Sequence, residues 1–166
     1  MKAMNTIKKF GYKILRKFGI VGKEYQLLPS NFPVANINTT FNQIGKLNPR
    51  VTHPTEYVVL GVLASITKQN ILEVGCYLGY SSCIMASAIS SDRKIFSVDR
   101  FEIPKNWSKK TSDNWIFKNY SQIEWATKNR NALGFESKIT FVESDSKSYA
   151  AELRNMRDRP KFDLIF

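Results

Sequence analysis

The residues best suited to chemistry form one run, Glu73-Val-Gly75-Cys-Tyr77-Leu-Gly79-Tyr-Ser81, which follows an apolar stretch that predicts a strand. A glycine directly after a strand lets the chain turn tightly, and a second glycine four residues later lets a ligand approach the next helix. Backbone N–H groups at a helix N-terminus favour an anionic group on that ligand. The Gly-x-x-x-Gly pattern alone is also typical of a plain strand-to-helix turn, so the run needs support from other residues.

Asp99 gives that support, because it ends another predicted strand twenty positions after Gly79. A carboxylate at the tip of the second strand of an α/β fold accepts hydrogen bonds from both ribose hydroxyls of a nucleoside. A polar turn would also account for an acid at this place. Taken together with the glycine run, Asp99 favours a nucleoside ligand.

The glycine pattern separates two classes of nucleoside cofactor. Dinucleotides require Gly-x-Gly-x-x-Gly so that the backbone can contact a pyrophosphate, whereas the corresponding positions here hold Gly75, Tyr77 and Tyr80. A tyrosine at the point of pyrophosphate contact argues against a dinucleotide. S-adenosylmethionine carries an amino-acid head and no phosphate, so one tight turn and one close approach are enough for it.

These residues need a scaffold of alternating strands and helices, which the sequence after residue 69 predicts. The predicted fold is α/β, a Rossmann-like doubly wound parallel sheet of about four strands with helices on both faces. Gly134 predicts a left-handed helix end. The predicted strands are 71–74, 94–98, 138–142 and 162–166, and the predicted helices are 81–89, 114–133 and 146–156.

The chain before this region divides into two segments. Residues 1–27 contain a basic amphipathic helix, an N-terminal extension, and residues 28–53 hold scattered Pro, Asn and Thr that predict a linker without regular structure. Residues 54–166 form the α/β domain, which begins with a helix from Pro54 to about residue 68. The expected buried face of that helix consists of Val58, Val59, Val62, Leu63 and Ile66.

The net charge of +11 suggests an acidic partner such as a nucleic acid or an anionic membrane surface. The charge is uneven, since residues 1–50 carry +8 and residues 51–166 carry +3. The N-terminal helix predicts either weak membrane contact through residues 1–22 or packing on a protein surface. Aromatic and basic residues are interleaved over residues 101–125, a pattern that suits either stacking on a nucleic acid or packing in the core. A third possibility is that Trp107 and its loop border the pocket for the methyl acceptor.

Several classes are excluded by what the sequence lacks. It has no run of about 18 apolar residues for a membrane span and no continuous apolar core for a secretory signal. Two cysteines, Cys76 and Cys83, form neither a disulfide framework nor a zinc pattern, and we expect a cytoplasmic protein with reduced thiols. The one histidine, His53, precedes a proline and is more typical of a helix start than of a general base. No catalytic residue and no metal site is assigned.

Four motifs together resemble the class I S-adenosylmethionine-dependent methyltransferases, most closely the group of small-molecule, sugar and antibiotic-modifying O-methyltransferases. They are the run from Glu73 to Ser81, Phe96-Ser-Val-Asp99, Phe141-Val-Glu-Ser-Asp145-Ser146, and Phe162-Asp-Leu-Ile-Phe166. The resemblance covers about residues 52–166. It implies S-adenosylmethionine as cofactor. Glu73, Gly75, Tyr77, Gly79 and Ser81 would surround its methionine end, Asp99 and Arg100 its ribose, and Asp145 and Ser146 its adenine.

The resemblance implies methyl transfer to a small-molecule acceptor, with oxygen as the expected methylated atom. In this family the fourth strand leads into an acidic segment that supplies metal ligands or a base. The chain stops at Phe166, so we expect a C-terminally truncated fragment. Two alternatives remain open from the residues alone: an RNA methyltransferase, and a non-catalytic nucleotide-binding or membrane-docked module.

Overall fold

The computed structural model describes residues 34–47, 54–102 and 120–166, which form four strands and five helices. The predicted N-terminal helix, His53 and both Trp107 and Trp115 lie outside these residues. In chain order the elements are α1 Val34–Leu47, α2 Pro54–Ile66, β1 Asn70–Val74, α3 Tyr80–Ala88, β2 Ile95–Asp99, α4 Gln122–Ala132, β3 Ile139–Glu143, α5 Ser146–Asn155 and β4 Phe162–Ile165.

The strands form one parallel sheet in the order β3-β2-β1-β4, which confirms the predicted α/β class. Strand β1 is the first strand in sequence and lies inside the sheet. From β1 the chain continues outward through β2 to β3, and then crosses back to β4 on the other side of β1. Right-handed crossovers place α3 and α4 on one face and α5 on the other. The carboxyl ends of β1 and β2 therefore lie side by side, at the switch point where such sheets bind ligands.

Helix α3 is the centre of the core because it is covered on nearly all sides. Its small side chains let α1 and α2 pack closely against it while it also faces the sheet. The middle of the sheet contributes Ile71, Ile95 and Ile139, which stand opposite one another in register and are almost fully buried. Seven of the nine residues of α3 are buried: Tyr80, Ser82, Cys83, Ile84, Met85, Ala86 and Ser87.

Helix α1 corrects the expectation of a linker without regular structure over residues 28–53. Its buried residues Ile37, Thr40 and Ile44 recur at intervals of three and four, as on one face of a helix. The Asn and Thr residues that suggested a linker are weak helix formers, but burial of an apolar face outweighs propensity. Gly61 of α2 allows this contact, since a Cβ atom there would lie 2.8 Å from Cγ1 of Ile37.

The buried face of α2 also differs from the expected one. Tyr57, Leu60 and Ala64 point into the core with Val62, whereas Ile66 is 57% exposed. Helix α2 is apolar around most of its circumference, so residue spacing could not choose its inner side. The buried side of α2 is determined by α1 and α3, which pack against it.

Helix α4 begins at Gln122, later than the predicted start at residue 114, because Ser121 forms a capping box that sets the N-terminal end of the helix there. The backbone N–H of Glu124 donates to Ser121 Oγ, and the carboxylate of Glu124 accepts from the N–H of Ser121. Its inner face buries Ala126, with Ile123 half-buried beside it, which agrees with the core-packing interpretation of this segment. Gly134 follows the helix with φ 72°, which confirms the left-handed end.

Replacement of a core residue of α1 tests whether this helix is part of the domain. We expect Ile44→Ala, at a side chain 1% exposed, to lower the free energy of unfolding by about 2–4 kcal/mol through lost burial and a cavity. Gln43→Ala on the exposed face should stay within about 0.5 kcal/mol of the wild type. Urea unfolding measures both, and equal stability of the two variants would mean that α1 does not pack on the domain.

Candidate functional site

The turn between β1 and α3 is built largely from left-handed backbone. Gly75 has φ 89°, Tyr77 has φ 51° and Gly79 has φ 74°. The N–H of Gly75 donates to the carbonyl of Val98 at 2.8 Å, which fastens the start of the turn to β2. The N–H of Gly79 donates to the carbonyl of Cys76 at 2.8 Å and closes the turn. We call residues 75–79 the glycine turn.

The two glycines of this turn serve different purposes. A Cβ atom at Gly75 would meet no atom within 4 Å, so the surface beside it is open. A Cβ atom at Gly79 would lie 2.8 Å from the ring of Phe141 and 3.4 Å from Ala126. The sequence interpretation gave Gly79 the close approach of a ligand. In the structure, the Cβ direction of Gly79 is filled by protein side chains and that of Gly75 is open, and a ligand contact at Gly79 stays a prediction.

Glu73 lies beneath the turn and is completely buried at the end of β1. Its Oε1 accepts a hydrogen bond from Ser81, and its Oε2 accepts from Ser82 and, at 2.7 Å, from Ser97. Burial raises the pKa of Glu73, while the three serine hydroxyls oppose that shift and the nearby Asp99 adds to it. Glu73 thus joins β1, β2 and the start of α3 through one carboxyl group.

Ser81 does not cap α3. The N-cap position of α3 is held by Gly79, which makes no side-chain capping bond, and Ser81 donates its hydroxyl to Glu73 instead. The side chain of Ser81 remains half-buried at the edge of the turn.

Asp99 contacts the glycine turn directly. Its Oδ2 accepts from the N–H of Tyr77 at 2.8 Å, and its Oδ1 accepts from the N–H of Phe101 at 2.9 Å. Arg100 is exposed beside it. The turn and the carboxylate of Asp99 thus form one continuous structure at the carboxyl ends of β1 and β2.

Asp145 and Ser146 come next along the same edge of the sheet. The N–H of Ser144 donates to the carbonyl of Asp99 at 3.0 Å, which brings this loop beside the Asp99 strand end. Asp145 caps α5 by accepting from the backbone N–H groups of Lys147 and Ser148 and from the hydroxyl of Ser148. These bonds, led by the Ser148 hydroxyl, lower the pKa of Asp145. Ser146 is exposed at the start of the helix.

Sequence reasoning missed several residues that hold this site. Ser82 and Ser97 complete the contacts of Glu73, and Ser97 could have been noticed as a polar residue inside an apolar strand. Asn129 of α4 is buried and donates its side-chain amide to the carbonyl of Leu78 at 3.0 Å. No pattern in the sequence signals that contact, because Asn129 lies fifty-one positions after Leu78.

The two thiols have no partner in a disulfide, and both are buried. Burial raises the pKa of Cys76 and of Cys83 far above the ordinary range of a thiol, so neither is a nucleophile at neutral pH. Among residues 34–47, 54–102 and 120–166, no three His, Cys, Asp or Glu side chains are grouped so that they could hold a metal ion. No helix in those same ranges is long and apolar enough to cross a membrane.

The fold is Rossmann-like. A glycine turn after the first strand, next to an acid at the tip of the second, is typical of nucleoside-binding domains of this class. The sequence model of the O-methyltransferase family matches residues 36–166. The chain belongs to this family, which confirms the methyltransferase resemblance. The match begins within α1 and so includes the helix that the sequence analysis missed.

Solved structures of methyltransferases share this fold. An O-methyltransferase from Bacillus cereus in complex with S-adenosylhomocysteine (SAH) aligns with a TM-score of 0.51 at 22% identity, covering 85% of this chain and 56% of that one. The O-methyltransferase TomG from Streptomyces achromogenes, in complex with SAM, aligns with a TM-score of 0.53 at 17% identity, and the alignment covers 85% of this chain and 55% of TomG. A SAH-bound methyltransferase from Podospora anserina aligns with a TM-score of 0.50 at 16% identity, and the alignment covers 99% of this chain and 56% of that one.

The chain spans between 55% and 56% of the length of those three structures. At these identities the alignments establish the fold of the chain. No curated protein matches the chain in sequence.

Proposed function

We propose that this chain is the cofactor-binding part of an S-adenosylmethionine-dependent methyltransferase that methylates an oxygen atom of a small-molecule acceptor. The contact between Asp99 and the glycine turn, in a member of the O-methyltransferase family, carries this proposal. Complexes of similarly folded proteins with SAH or SAM support the choice of cofactor.

The described residues fit this cofactor. Each carboxylate oxygen of Asp99 accepts one backbone N–H, and a carboxylate has about four acceptor positions, so two remain for the two ribose hydroxyls. The open surface at Gly75 leaves room beside the turn for a bulky group. The loop with Asp145 and Ser146 is fastened next to Asp99, where an adenine attached to that ribose would lie.

In this proposal the chain acts mainly by positioning. When bound, the cofactor would supply a methyl group on a sulfonium sulfur; the acceptor oxygen would bond to the methyl carbon in line as the sulfur–methyl bond breaks and S-adenosylhomocysteine leaves. Gly75 and Tyr77 hold the methionine end, Asp99 holds the ribose, and Asp145 with Ser146 borders the adenine. Glu73 keeps the turn at a fixed distance from Asp99 through its bond with Ser97 on β2.

Calorimetric titration with S-adenosylhomocysteine tests the proposed cofactor. We expect the chain to bind it with a 1:1 ratio and to show no heat of binding with NAD. Asp99→Asn removes the charge that receives the hydroxyls and should weaken binding at least tenfold, as expected for hydrogen bonds to a charged group. The exposed variant Asp158→Asn is the matched control and should bind as the wild type does. A folded wild-type chain that does not bind S-adenosylhomocysteine would disprove the proposal.

A further inference from the structure

We propose that Asp99 is also a positioning residue for the methionine end of the site, because its two carboxylate oxygens hold the glycine turn in its binding shape. This inference rests on the proposed function and deepens it. It assigns to one carboxylate two separable tasks, acceptance of ribose hydroxyls and orientation of the backbone that surrounds the rest of the cofactor.

The first observation concerns backbone conformation. Tyr77 and Phe101 are the two non-glycine residues with positive φ in the described part of the chain, at 51° and 52°. Residues with a Cβ atom avoid this region and persist there only when surrounding contacts impose it. The N–H groups of these same two residues are the ones that donate to Asp99. The carboxylate thus supplies the contact that each unfavourable conformation requires.

The second observation concerns the other end of the turn. Phe101 is buried, and its ring meets the ring of Phe141 edge to face, with centroids 5.9 Å apart. Phe141 in turn fills the space beside Gly79, where a Cβ atom would lie 2.8 Å from its ring. Asp99 therefore reaches the middle of the turn directly through Tyr77 and its end through Phe101 and Phe141.

Both contacts have the same consequence. Without the carboxylate, Tyr77 and Phe101 lose the acceptor that holds them, and the turn can relax to ordinary conformations in which its N–H groups point elsewhere. Such relaxation would weaken binding of the amino-acid end of the cofactor even if that ligand made no contact with Asp99 itself.

A ligand that lacks the ribose hydroxyls separates the two tasks. We compare binding of S-adenosylhomocysteine and of its 2′,3′-dideoxy analogue to the wild-type chain and to Asp99→Ala by competition titration. If Asp99 positions the turn, Asp99→Ala weakens binding of the dideoxy analogue about tenfold as well, although that ligand offers Asp99 no hydroxyl. If Asp99 only receives the ribose, Asp99→Ala leaves the affinity of the analogue unchanged, and the inference is wrong.

A matched pair of substitutions tests whether the backbone conformation of Tyr77 causes the weaker binding in Asp99→Ala. In the Asp99→Ala background, Tyr77→Gly and Tyr77→Ala remove the same ring, but only glycine adopts positive φ without strain. We expect Tyr77→Gly to bind the analogue at least fivefold more tightly than Tyr77→Ala, and a ratio near one would contradict the positioning role. Should Asp99→Ala not fold, Asp99→Asn, which keeps one acceptor oxygen, serves for both comparisons.

These results differ from those that would disprove the proposed function. If the folded wild-type chain binds neither ligand, the cofactor assignment fails and this inference fails with it. If the wild type binds S-adenosylhomocysteine and Asp99→Ala binds the dideoxy analogue as tightly as the wild type does, the cofactor assignment stands and only the positioning role is overturned.

Discussion

Gly79→Ala is expected to lower the free energy of unfolding by about 2–5 kcal/mol and to abolish measurable binding of S-adenosylhomocysteine. Two costs add at this position. A residue with a Cβ atom at φ 74° costs about 1–2 kcal/mol. The new Cβ atom would also lie 2.8 Å from the ring of Phe141, and such overpacking typically costs about 1–3 kcal/mol. Urea unfolding and calorimetric titration measure the two effects.

The chain offers a matched control in Gly134, which has φ 72°, although a Cβ atom there would meet no other atom within 4 Å. Gly134→Ala should therefore show the conformational cost alone, about 1–2 kcal/mol, and bind the ligand as the wild type does. A second substitution, Phe141→Leu in the Gly79→Ala background, should recover part of the lost stability by removing ring atoms from the crowded space. Equal stability of Gly79→Ala and Gly134→Ala would contradict the assigned contact with Phe141.

The strands and most helices could be predicted because their signals are local. Short apolar runs bounded by polar turns marked β1 to β4, and the glycine at position 134 marked the end of α4, whereas the start of α4 was predicted at residue 114 and lies at Gln122. Helix α1 was missed because its residues are weak helix formers, and its stability comes from the packing of Ile37 and Ile44 on other elements. Such contacts between distant parts of the chain cannot be predicted from the local sequence.

The same distinction applies to the site. Glu73, Gly75 and Asp99 were identifiable from residue type and position at strand ends, and the structure brings them together. The sequence could not show that Gly79 also leaves room for the ring of Phe141, because Phe141 is sixty-two positions away in the sequence. Roles that depend on the partner across the fold, rather than on the neighbour along the chain, became visible only with the structure.

The buried carboxyl group of Glu73 should make the stability of the chain fall as the pH rises. Burial raises the pKa of Glu73 in the folded state above its ordinary value of 4.5, so the folded chain holds this proton more tightly than the unfolded chain does. The contribution of Glu73 is fully present below about pH 4.5 and is lost as the pH rises through the folded pKa. A single proton limits the slope to about 1.4 kcal/mol per pH unit.

Two substitutions isolate this effect. Glu73→Gln resembles the protonated acid and does not titrate, so the stability of the wild type relative to Glu73→Gln should decrease between pH 5 and pH 8 until the pH passes the folded pKa of Glu73, and then stay level. Glu73→Ala removes the shared acceptor of Ser81, Ser82 and Ser97 and should cost about 3 kcal/mol or more at every pH.

Urea unfolding at several pH values gives both comparisons, and the exposed variant Glu152→Gln controls for the loss of one surface charge. That control should follow the pH profile of the wild type. A constant difference between the wild type and Glu73→Gln across this range would show that Glu73 ionises as easily in the folded chain as in the unfolded one. The bonds from the serine hydroxyls would then offset the effect of burial on the pKa of Glu73, and the carboxyl group would be charged across this range while it joins Ser81 and Ser82 of α3 to Ser97 of β2.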